Sequence, residues 1–303
     1  MARNPKDVIL IAVLGVTGAG KTTFISKATG RTDLKIGHGL SSCTQDISVA
    51  HLEMQGKKIA LIDTPGFDDT NKTDAEVLGL IATYMADTYA QDMLLSGIIL
   101  LQPINTNRVQ GSERKRTRLF EKVCGPGAFS KVIIATTMWS DLQSQSTGSQ
   151  RVEERQNSKD FWGNMVNHGA KIVKHDNNPQ SARKIINMVV SNAGKVVLQM
   201  QRELAQSDGQ VSSTSAGRQL DSDLSETSSK LLAELQALQK ESTGNMVSLR
   251  EEIQELKEKL QHTENEKRTL KRSRASLEGP AAWISALAGV TSLAMVPLAC
   301  VIL

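Results

Sequence analysis

A glycine-rich turn directly after the first apolar segment constrains the fold more than any other part of the sequence. Residues 8–14 are a short aliphatic run, and residues 15–22 read Gly-Val-Thr-Gly-Ala-Gly-Lys-Thr. This matches G-x-x-x-x-G-K-[ST], in which a strand ends in a turn and a helix begins at once. Glycines let successive backbone N–H groups face inward, and the next helix points its positive end at the same place. The segment therefore predicts a loop that cradles phosphate groups.

The pattern also gives roles to the side chains of this loop. Lys21 would reach the β- and γ-phosphates of a nucleotide, and the Thr22 hydroxyl would coordinate Mg²⁺. The predicted nucleotide-binding residues here are Gly15, Thr17, Gly18, Ala19, Gly20, Lys21, Thr22 and Thr23.

A second motif, Leu-Ile-Asp-Thr-Pro-Gly at 61–66, ends another apolar run. Asp63 would hold the Mg²⁺ through water, and Gly66 would let its N–H approach the γ-phosphate. The Asp-Thr-Pro-Gly order separates the chain from general ATP-using P-loop proteins and resembles the GTPase branch, leaving an ATP-using enzyme as a minor alternative.

In GTPases, a loop between the first helix and the second strand senses the metal, and here it would span about residues 30–44. Thr44 is the predicted contact to Mg²⁺ and the γ-phosphate, with Ser41 and Ser42 as alternatives. Lys21, Thr44 and Gly66 are the predicted catalytic residues.

Apolar, β-rich runs alternate with helical stretches as far as about residue 190, which predicts a three-layer α/β fold with a mainly parallel sheet. Only residues 55–57 separate the second and third runs, so those strands should form an antiparallel hairpin. Helices are predicted over 74–95, 112–124 and 181–206. The nucleotide-binding domain would span residues 1–206. The predicted strands are 8–14, 47–54, 58–62, 97–101, 132–136 and 172–173.

No second globular domain is predicted after residue 206, because residues 163–282 contain no aromatic side chain to fill a core. Residues 207–217, rich in Ser and Gly, predict a flexible linker. Residues 218–275 predict a coiled coil through which copies of the chain associate, with a single amphipathic helix as the alternative. Its clearest heptad positions are Met246, Leu249, Ile253, Leu256, Leu260, Thr263, Lys267 and Leu270.

The last segment, residues 279–303, carries no charge and has 18 apolar residues among its 25. As a helix it would be about 37 Å long, enough to cross a hydrocarbon core of about 30 Å. Five cations between residues 267 and 274 would stay on the cytosolic side. We expect a C-terminal membrane anchor on the cytosolic face of an intracellular membrane, or a helix lying in the interface or packed on the protein.

The charge and cysteine content exclude some classes of protein. A net charge of +4 is too mild for a nucleic-acid-binding protein. Three cysteines without paired spacing form neither a disulfide framework nor a zinc site and indicate a reducing compartment.

Over about residues 8–190 the chain resembles the septin-like group that includes immune-associated and avirulence-induced GTPases, and fungal G domain-containing proteins. The motifs that carry the resemblance are GVTGAGKTT, SSCT, LIDTPGFDDT, residues 107–112 and residues 135–139. It implies GTP and GDP with Mg²⁺ as ligands. It also implies that nucleotide sites of two subunits face each other, so that the chain would form a homo-oligomer through this domain.

The expected base-reading box, [NT]-K-x-D, is imperfect, since residues 136–141 read Thr-Thr-Met-Trp-Ser-Asp. Thr137 would lie at the nucleotide, Asp141 would accept from the guanine N1 and N2 groups, and Trp139 would provide a stacking face. Alternatively Trp139 is a core residue and Asp141 a helix cap. The last box falls at either 168–171 or 173–175.

Phe67 stands where many GTPases have a glutamine that orients the attacking water, which predicts slow hydrolysis. Asp68 or Asp69 would place the water instead. Arg108 is a candidate to act on a partner subunit, with a solvated loop arginine as the alternative. These features predict a membrane-tethered, oligomerising GTPase switch, or a scaffold that binds nucleotide with little or no turnover.

Overall fold

The computed structural model describes residues 8–31, 47–69, 71–105, 111–192, 194–240 and 246–275. The predicted switch threonine Thr44, its alternatives Ser41 and Ser42, Arg108 and the apolar segment 279–303 lie outside the described residues.

The centre of the fold is a six-stranded sheet with the order β2-β3-β1-β4-β5-β6. Only β2 runs antiparallel to its neighbour, and the other four pairings are parallel. The predicted sheet and hairpin are thus confirmed. The hairpin turn consists of Gln55 and Gly56, both with positive φ, as a tight two-residue turn requires. The strands are β1 (Ile9–Gly15), β2 (Ser48–Met54), β3 (Lys57–Asp63), β4 (Gly97–Pro103), β5 (Val132–Thr137) and β6 (Lys171–Lys174).

Helices cover both faces of the sheet. Alternate residues of β1 explain why, because Ile11 and Val13 are buried on one face and Leu10 and Leu14 on the other. One face packs against α1 and α6, and the opposite face against α2, α3 and α7. The helices are α1 (Lys21–Thr29), α2 (Asp74–Ala90), α3 (Gly111–Cys124), α4 (Gln145–Asn157), α5 (Gly163–Asn167), α6 (Pro179–Ser191), α7 (Gln199–Gln206), α8 (Ser215–Lys240) and α9 (Met246–Arg272).

Two of the predicted helices have different bounds in the structure. The predicted helix 74–95 ends at Ala90, before a turn in which Asp92 has a φ of 56°. The predicted helix 181–206 is two helices, α6 and α7. Between them Val196 forms a single antiparallel bridge with Leu95, and the Val196 N–H donates to the Leu95 carbonyl oxygen at 2.8 Å.

The prediction of a flexible linker over residues 207–217 is wrong. Val211 and Thr214 are fully buried, and α8 already begins at Ser215. The Val211 N–H donates to the Ser273 carbonyl oxygen, so the segment is also joined to the end of α9. The prediction was wrong because it relied on the Ser- and Gly-rich composition, whereas the few apolar residues of this segment pack into the core.

The structure gives the predicted coiled-coil region a partner within the same chain, and self-association through it stays a prediction. Helices α8 and α9 pack against each other as a helical hairpin, and the hairpin packs on α2 and α3. The heptad positions Leu256, Thr263 and Leu270 are buried within this one chain. Heptad spacing describes an apolar stripe but not its partner, and here the partner is the rest of the chain.

No helix within the described ranges is both long enough and apolar enough to cross a membrane.

Leu270 and Leu232 provide a matched test of hairpin docking. Leu270 is fully buried, whereas the Leu232 side chain on α8 is 42% exposed. We expect Leu270→Ala to lower the free energy of unfolding by about 2–5 kcal/mol, because it leaves a cavity under α9. Leu232→Ala should change it by about 0.5 kcal/mol or less. Urea denaturation measures both, and equal effects would contradict the docked arrangement.

Candidate functional site

The loop between β1 and α1 has the geometry of an anion cradle. Gly18 and Gly20 have φ values of 78° and 92°, a conformation that glycine adopts without the steric cost of a Cβ. Gly20 is the N-cap of α1, so the positive end of that helix opens into the loop. The predicted strand, turn and helix are all present.

Lys21 is the charged group at the centre of the cradle. Its Nζ donates to the carbonyl oxygens of Gly15 at 3.1 Å and Val16 at 3.0 Å, which folds the side chain back over the loop. Burial lowers the pKa of Lys21 to about 8, although Asp63 and Asp69 act to raise it. A buried ammonium that has lost its hydration gains most from a bound anion.

Thr22 and Asp63 lie together beside Lys21, as the sequence predicted. The Thr22 hydroxyl donates to Asp63 Oδ2 at 2.9 Å. Asp63 Oδ1 is buried, and within the described part of the chain it has no hydrogen-bond partner. Burial raises the pKa of Asp63 to about 6. A hydroxyl and an unpartnered carboxylate oxygen are ligands that Mg²⁺ prefers, so these residues fit the metal.

Gly66 is packed against the phosphate loop so closely that no side chain fits. A Cβ on Gly66 would lie 2.4 Å from the Thr17 nitrogen and 2.8 Å from Lys21 Nζ. The Thr17 N–H donates to the Phe67 carbonyl oxygen at 3.0 Å, which joins the two loops. The backbone after β3 therefore lies beside the position expected for a terminal phosphate.

The side chains after Gly66 point in different directions. Phe67 is buried in the apolar core. Asp68 forms an ion pair with Arg116 at 2.8 Å, away from the phosphate loop. Asp69 Oδ2 lies 3.4 Å from the Thr17 hydroxyl. Of the two predicted water-placing carboxylates, only Asp69 stays beside the loop.

A cavity of about 410 Å³ continues from the phosphate loop toward the ends of β5 and β6. Thr137 joins its wall to the loop, because the Thr137 hydroxyl donates to the Ala19 carbonyl oxygen at 3.1 Å. The lining residues are Ala19, Gly20, Thr23, Thr137, Met138, Trp139, Ser140, Gln145, Lys174, His175, Asp176 and Asn177.

Trp139 lines this cavity and is also partly buried against the core, so both sequence-based alternatives describe part of its position. Its indole N–H donates to the carbonyl oxygen and hydroxyl of Thr136 at 3.1 and 3.0 Å, which fixes the ring. The Lys174 ammonium lies 4.7 Å from the ring centroid. Lys174 thus occupies one face of the indole that was predicted to stack on a base.

Asp141, the predicted base reader, is not among the described residues that line the cavity. Its carboxylate accepts from Asn105 Nδ2 at 3.1 Å and from the Ser140 hydroxyl at 3.0 Å. It is not a helix cap either, since Ser144 caps α4.

Of the two segments that the sequence offered for the last box, one lines the cavity. Lys174 ends β6, His175 follows it, and both line the cavity, whereas residues 168–171 lie at the other end of that strand. Asp176, which the sequence reasoning missed, lines the same wall. Its position just after a parallel strand was an available signal, because ligands bind at the carboxyl ends of such strands.

Comparison with known proteins decides what this arrangement is. A family model described as 50S ribosome-binding GTPase matches residues 10–121, the part that contains Lys21, Asp63 and Gly66. Residues 10–121 match a P-loop GTPase domain. The septin-like subtype is not established by this match.

Individual relatives of the GTPase domain are distant. GTP-binding protein A of Dictyostelium discoideum is 24% identical over 127 residues, 42% of this chain and 27% of the relative. GTPase Der of Buchnera aphidicola is 37% identical over 65 residues, 22% of this chain and 14% of the relative. The chain thus spans about a quarter or less of these curated relatives.

A solved structure shows the same fold as the GTPase domain. A dimerization-deficient mutant of Toc33 from Arabidopsis thaliana is 16% identical, with a TM-score of 0.50, over 63% of this chain and 88% of that one. At this identity the likeness concerns the fold alone.

The burial of Asp63 predicts a pH dependence in protein free of nucleotide and Mg²⁺. Folded Asp63 keeps its proton up to about pH 6, whereas an unfolded Asp releases it near pH ~3.9. This contribution to stability is therefore present at pH 4 and lost as the pH rises through 6. Relative to Asp63→Asn, the wild type should lose about 2–3 kcal/mol of unfolding free energy between pH 4 and 7. Urea denaturation at each pH measures this, and parallel curves would contradict the burial.

Proposed function

We propose that this protein is a GTP-operated switch that binds GTP or GDP with Mg²⁺, hydrolyses GTP slowly, and passes the nucleotide state to the α8–α9 hairpin. The observation that carries the proposal is the packing of Gly66 against Thr17 and Lys21. A γ-phosphate bound at Lys21 would contact the backbone at Gly66, and the segment that follows Gly66 connects to α2 and the α8–α9 hairpin.

The residues of the cradle divide the work at the phosphates. Lys21 would neutralise charge on the β- and γ-phosphates, and the Gly66 N–H would donate to the γ-phosphate. Thr22 and Asp63 would hold Mg²⁺, which when bound neutralises charge on the phosphate oxygens. Thr44 remains a predicted ligand of the metal.

A continuous set of contacts leads from Gly66 to the hairpin. The Asp68 N–H donates to Asp74 Oδ1 at 2.9 Å, at the start of α2. One residue further, the Ala75 N–H donates to Glu266 Oε1 of α9 at 3.1 Å. Glu266 is 9% exposed, so this bond is shielded from water. A shift of the segment after Gly66 would therefore move the start of α2, and with it the Ala75 N–H that donates to Glu266 of α9.

The segment also has room to shift. A cavity of about 360 Å³ is lined by residues 68, 69 and 71–74, by α3 and by the facing sides of α8 and α9. Its walls carry charges of both signs, including Lys115, Asp223 and Glu266. Burial raises the pKa of Asp223 and of Glu266. A loop that moves into this space would change the surroundings of these carboxylates.

Slow turnover, and the second candidate function, rest on Phe67. Its side chain is buried and offers no group to orient water. A nucleotide-stabilised scaffold with little or no hydrolysis is therefore the alternative. Phosphate release per molecule that rises with protein concentration identifies a GTPase completed by a second subunit, and zero release at all concentrations identifies the scaffold.

Assembly and membrane tethering complete the proposal. Dimerization is important for the GTPase activity of the chloroplast translocon components atToc33 and psToc159, and the corresponding structure covers 61% of this chain with a TM-score of 0.50. We propose self-association through the GTPase domain here. Three positions of the heptad stripe, Leu256, Thr263 and Leu270, are buried within the chain and are not exposed to a partner. The apolar segment 279–303, preceded by cations, supports a tether to the cytosolic face of an intracellular membrane.

Loss of the buried ammonium tests the nucleotide site. We expect Lys21→Ala to abolish binding of a fluorescent GTP analogue with Mg²⁺, because Lys21 provides the charge for the phosphates. Lys57→Ala, at the exposed start of β3, is the matched control and should bind as the wild type does. Fluorescence titration measures both variants. Equal affinity of Lys21→Ala and wild type would overturn the phosphate-site assignment.

A further inference from the structure

We propose that Asp176, rather than Asp141, is the carboxylate that reads guanine in this protein. The inference rests on the proposed binding of guanine nucleotide and adds the residue that selects the base. In the cavity that continues beyond the phosphate loop, Asp176 is a lining residue and Asp141 is not.

Asp176 is the single carboxylate among the described residues that line this cavity. The cavity begins at Ala19 and Gly20 of the phosphate loop and ends at Trp139 and Asn177. A nucleotide whose phosphates lie at Lys21 would place its base along this wall. The base therefore meets the segment after β6.

The chain around Asp176 is held in place by buried groups. The Asp176 N–H donates to the Ser181 hydroxyl oxygen at 3.2 Å, and that oxygen lies 2.8 Å from His175 Nδ1. His175 is 4% exposed and makes an edge contact with Phe24 of α1, with the ring centroids 5.1 Å apart. Asn177 follows with a φ of 52°, which turns the chain sharply. These contacts fix the backbone on both sides of Asp176 relative to α1 and the phosphate loop.

Asp176 has acceptor capacity for a base, even though it pairs with a lysine. Its Oδ1 lies 2.9 Å from Lys174 Nζ, and about half of its side chain is exposed. An ionised carboxylate offers roughly four lone-pair sites, so one ammonium does not saturate it. The same ammonium lies over the Trp139 ring, so Lys174 connects the carboxylate to the aromatic wall.

The chemistry of guanine matches this acceptor. Guanine presents two adjacent donors, N1–H and the N2 amino group, and a carboxylate accepts from both. Adenine presents an acceptor at N1, which a carboxylate repels. Asp141 is not among the described residues that line the cavity, and its two oxygens accept from Asn105 Nδ2 and from the Ser140 hydroxyl.

Exchange of carboxylate for amide gives a test with a gain of binding. Xanthine carries a carbonyl where guanine has its N2 amino group, so an amide at the reading position should favour xanthine. We expect Asp176→Asn to lower the affinity for GDP and raise the affinity for xanthosine diphosphate, each by about tenfold or more. Titration of the full chain with both nucleotides in the presence of Mg²⁺ measures this. Glu154→Gln, on the exposed side of α4, is the matched carboxylate-to-amide control.

The outcomes separate the base reader from the function itself. A gain of xanthosine diphosphate binding by Asp176→Asn supports the proposal, and because it is a gain, misfolding cannot produce it. Absence of that gain overturns the proposal, as does the same gain produced by Asp141→Asn. If the wild type fails to bind GDP at all, the proposed function has failed, and the base assignment fails with it.

Discussion

The buried ammonium of Lys21 is the constraint on which the rest of this structure depends. Its Nζ is folded back onto the carbonyl oxygens of Gly15 and Val16, inside a loop that only glycine-rich sequence can form. Burial already lowers its pKa to about 8. The group is therefore poised to gain stability from a phosphate. Asp63 has a buried carboxylate oxygen without a hydrogen-bond partner among the described residues, and a bound cation would provide the missing interaction.

The surroundings of Lys21 explain how a small local change would reach a distant part of the chain. Gly66 has no room for a side chain against the phosphate loop, so occupancy of the cradle and the path of the next segment are not independent. That segment ends at α2, whose first turn shares a buried hydrogen bond with Glu266. Apolar packing of Leu270 and its neighbours holds the hairpin on the domain, while the polar contacts at α2 make its position sensitive to the loop.

Sequence alone predicted the parts of the fold and site that depend on local chemistry. The phosphate loop, Asp63, Gly66 and the antiparallel hairpin follow from glycine positions, short loops and strand periodicity, and the structure contains all of them. The errors concern partners that are distant in sequence. Heptad spacing at Leu256 and Leu270 could not reveal that the stripe packs on its own chain.

The base-reading wall illustrates the same limit. The base-reading motif at the end of β5 pointed to Asp141, but the cavity is lined by residues from the ends of both β5 and β6. Whether a carboxylate reaches the cavity depends on a hydrogen bond to Asn105 on one side and on the buried His175 and Ser181 pair on the other. Neither contact can be predicted from the spacing of residues along the sequence.

Amide hydrogen exchange of the full chain with Mg²⁺ and either GDP or a non-hydrolysable GTP analogue tests the coupling most directly. The predicted result is a difference between the two nucleotides at the start of α2 and in α9 around Glu266, with no difference in α6 on the opposite face of the sheet. Identical exchange in α9, while the segment after Gly66 responds to the nucleotide, would contradict the coupling of the site to the hairpin.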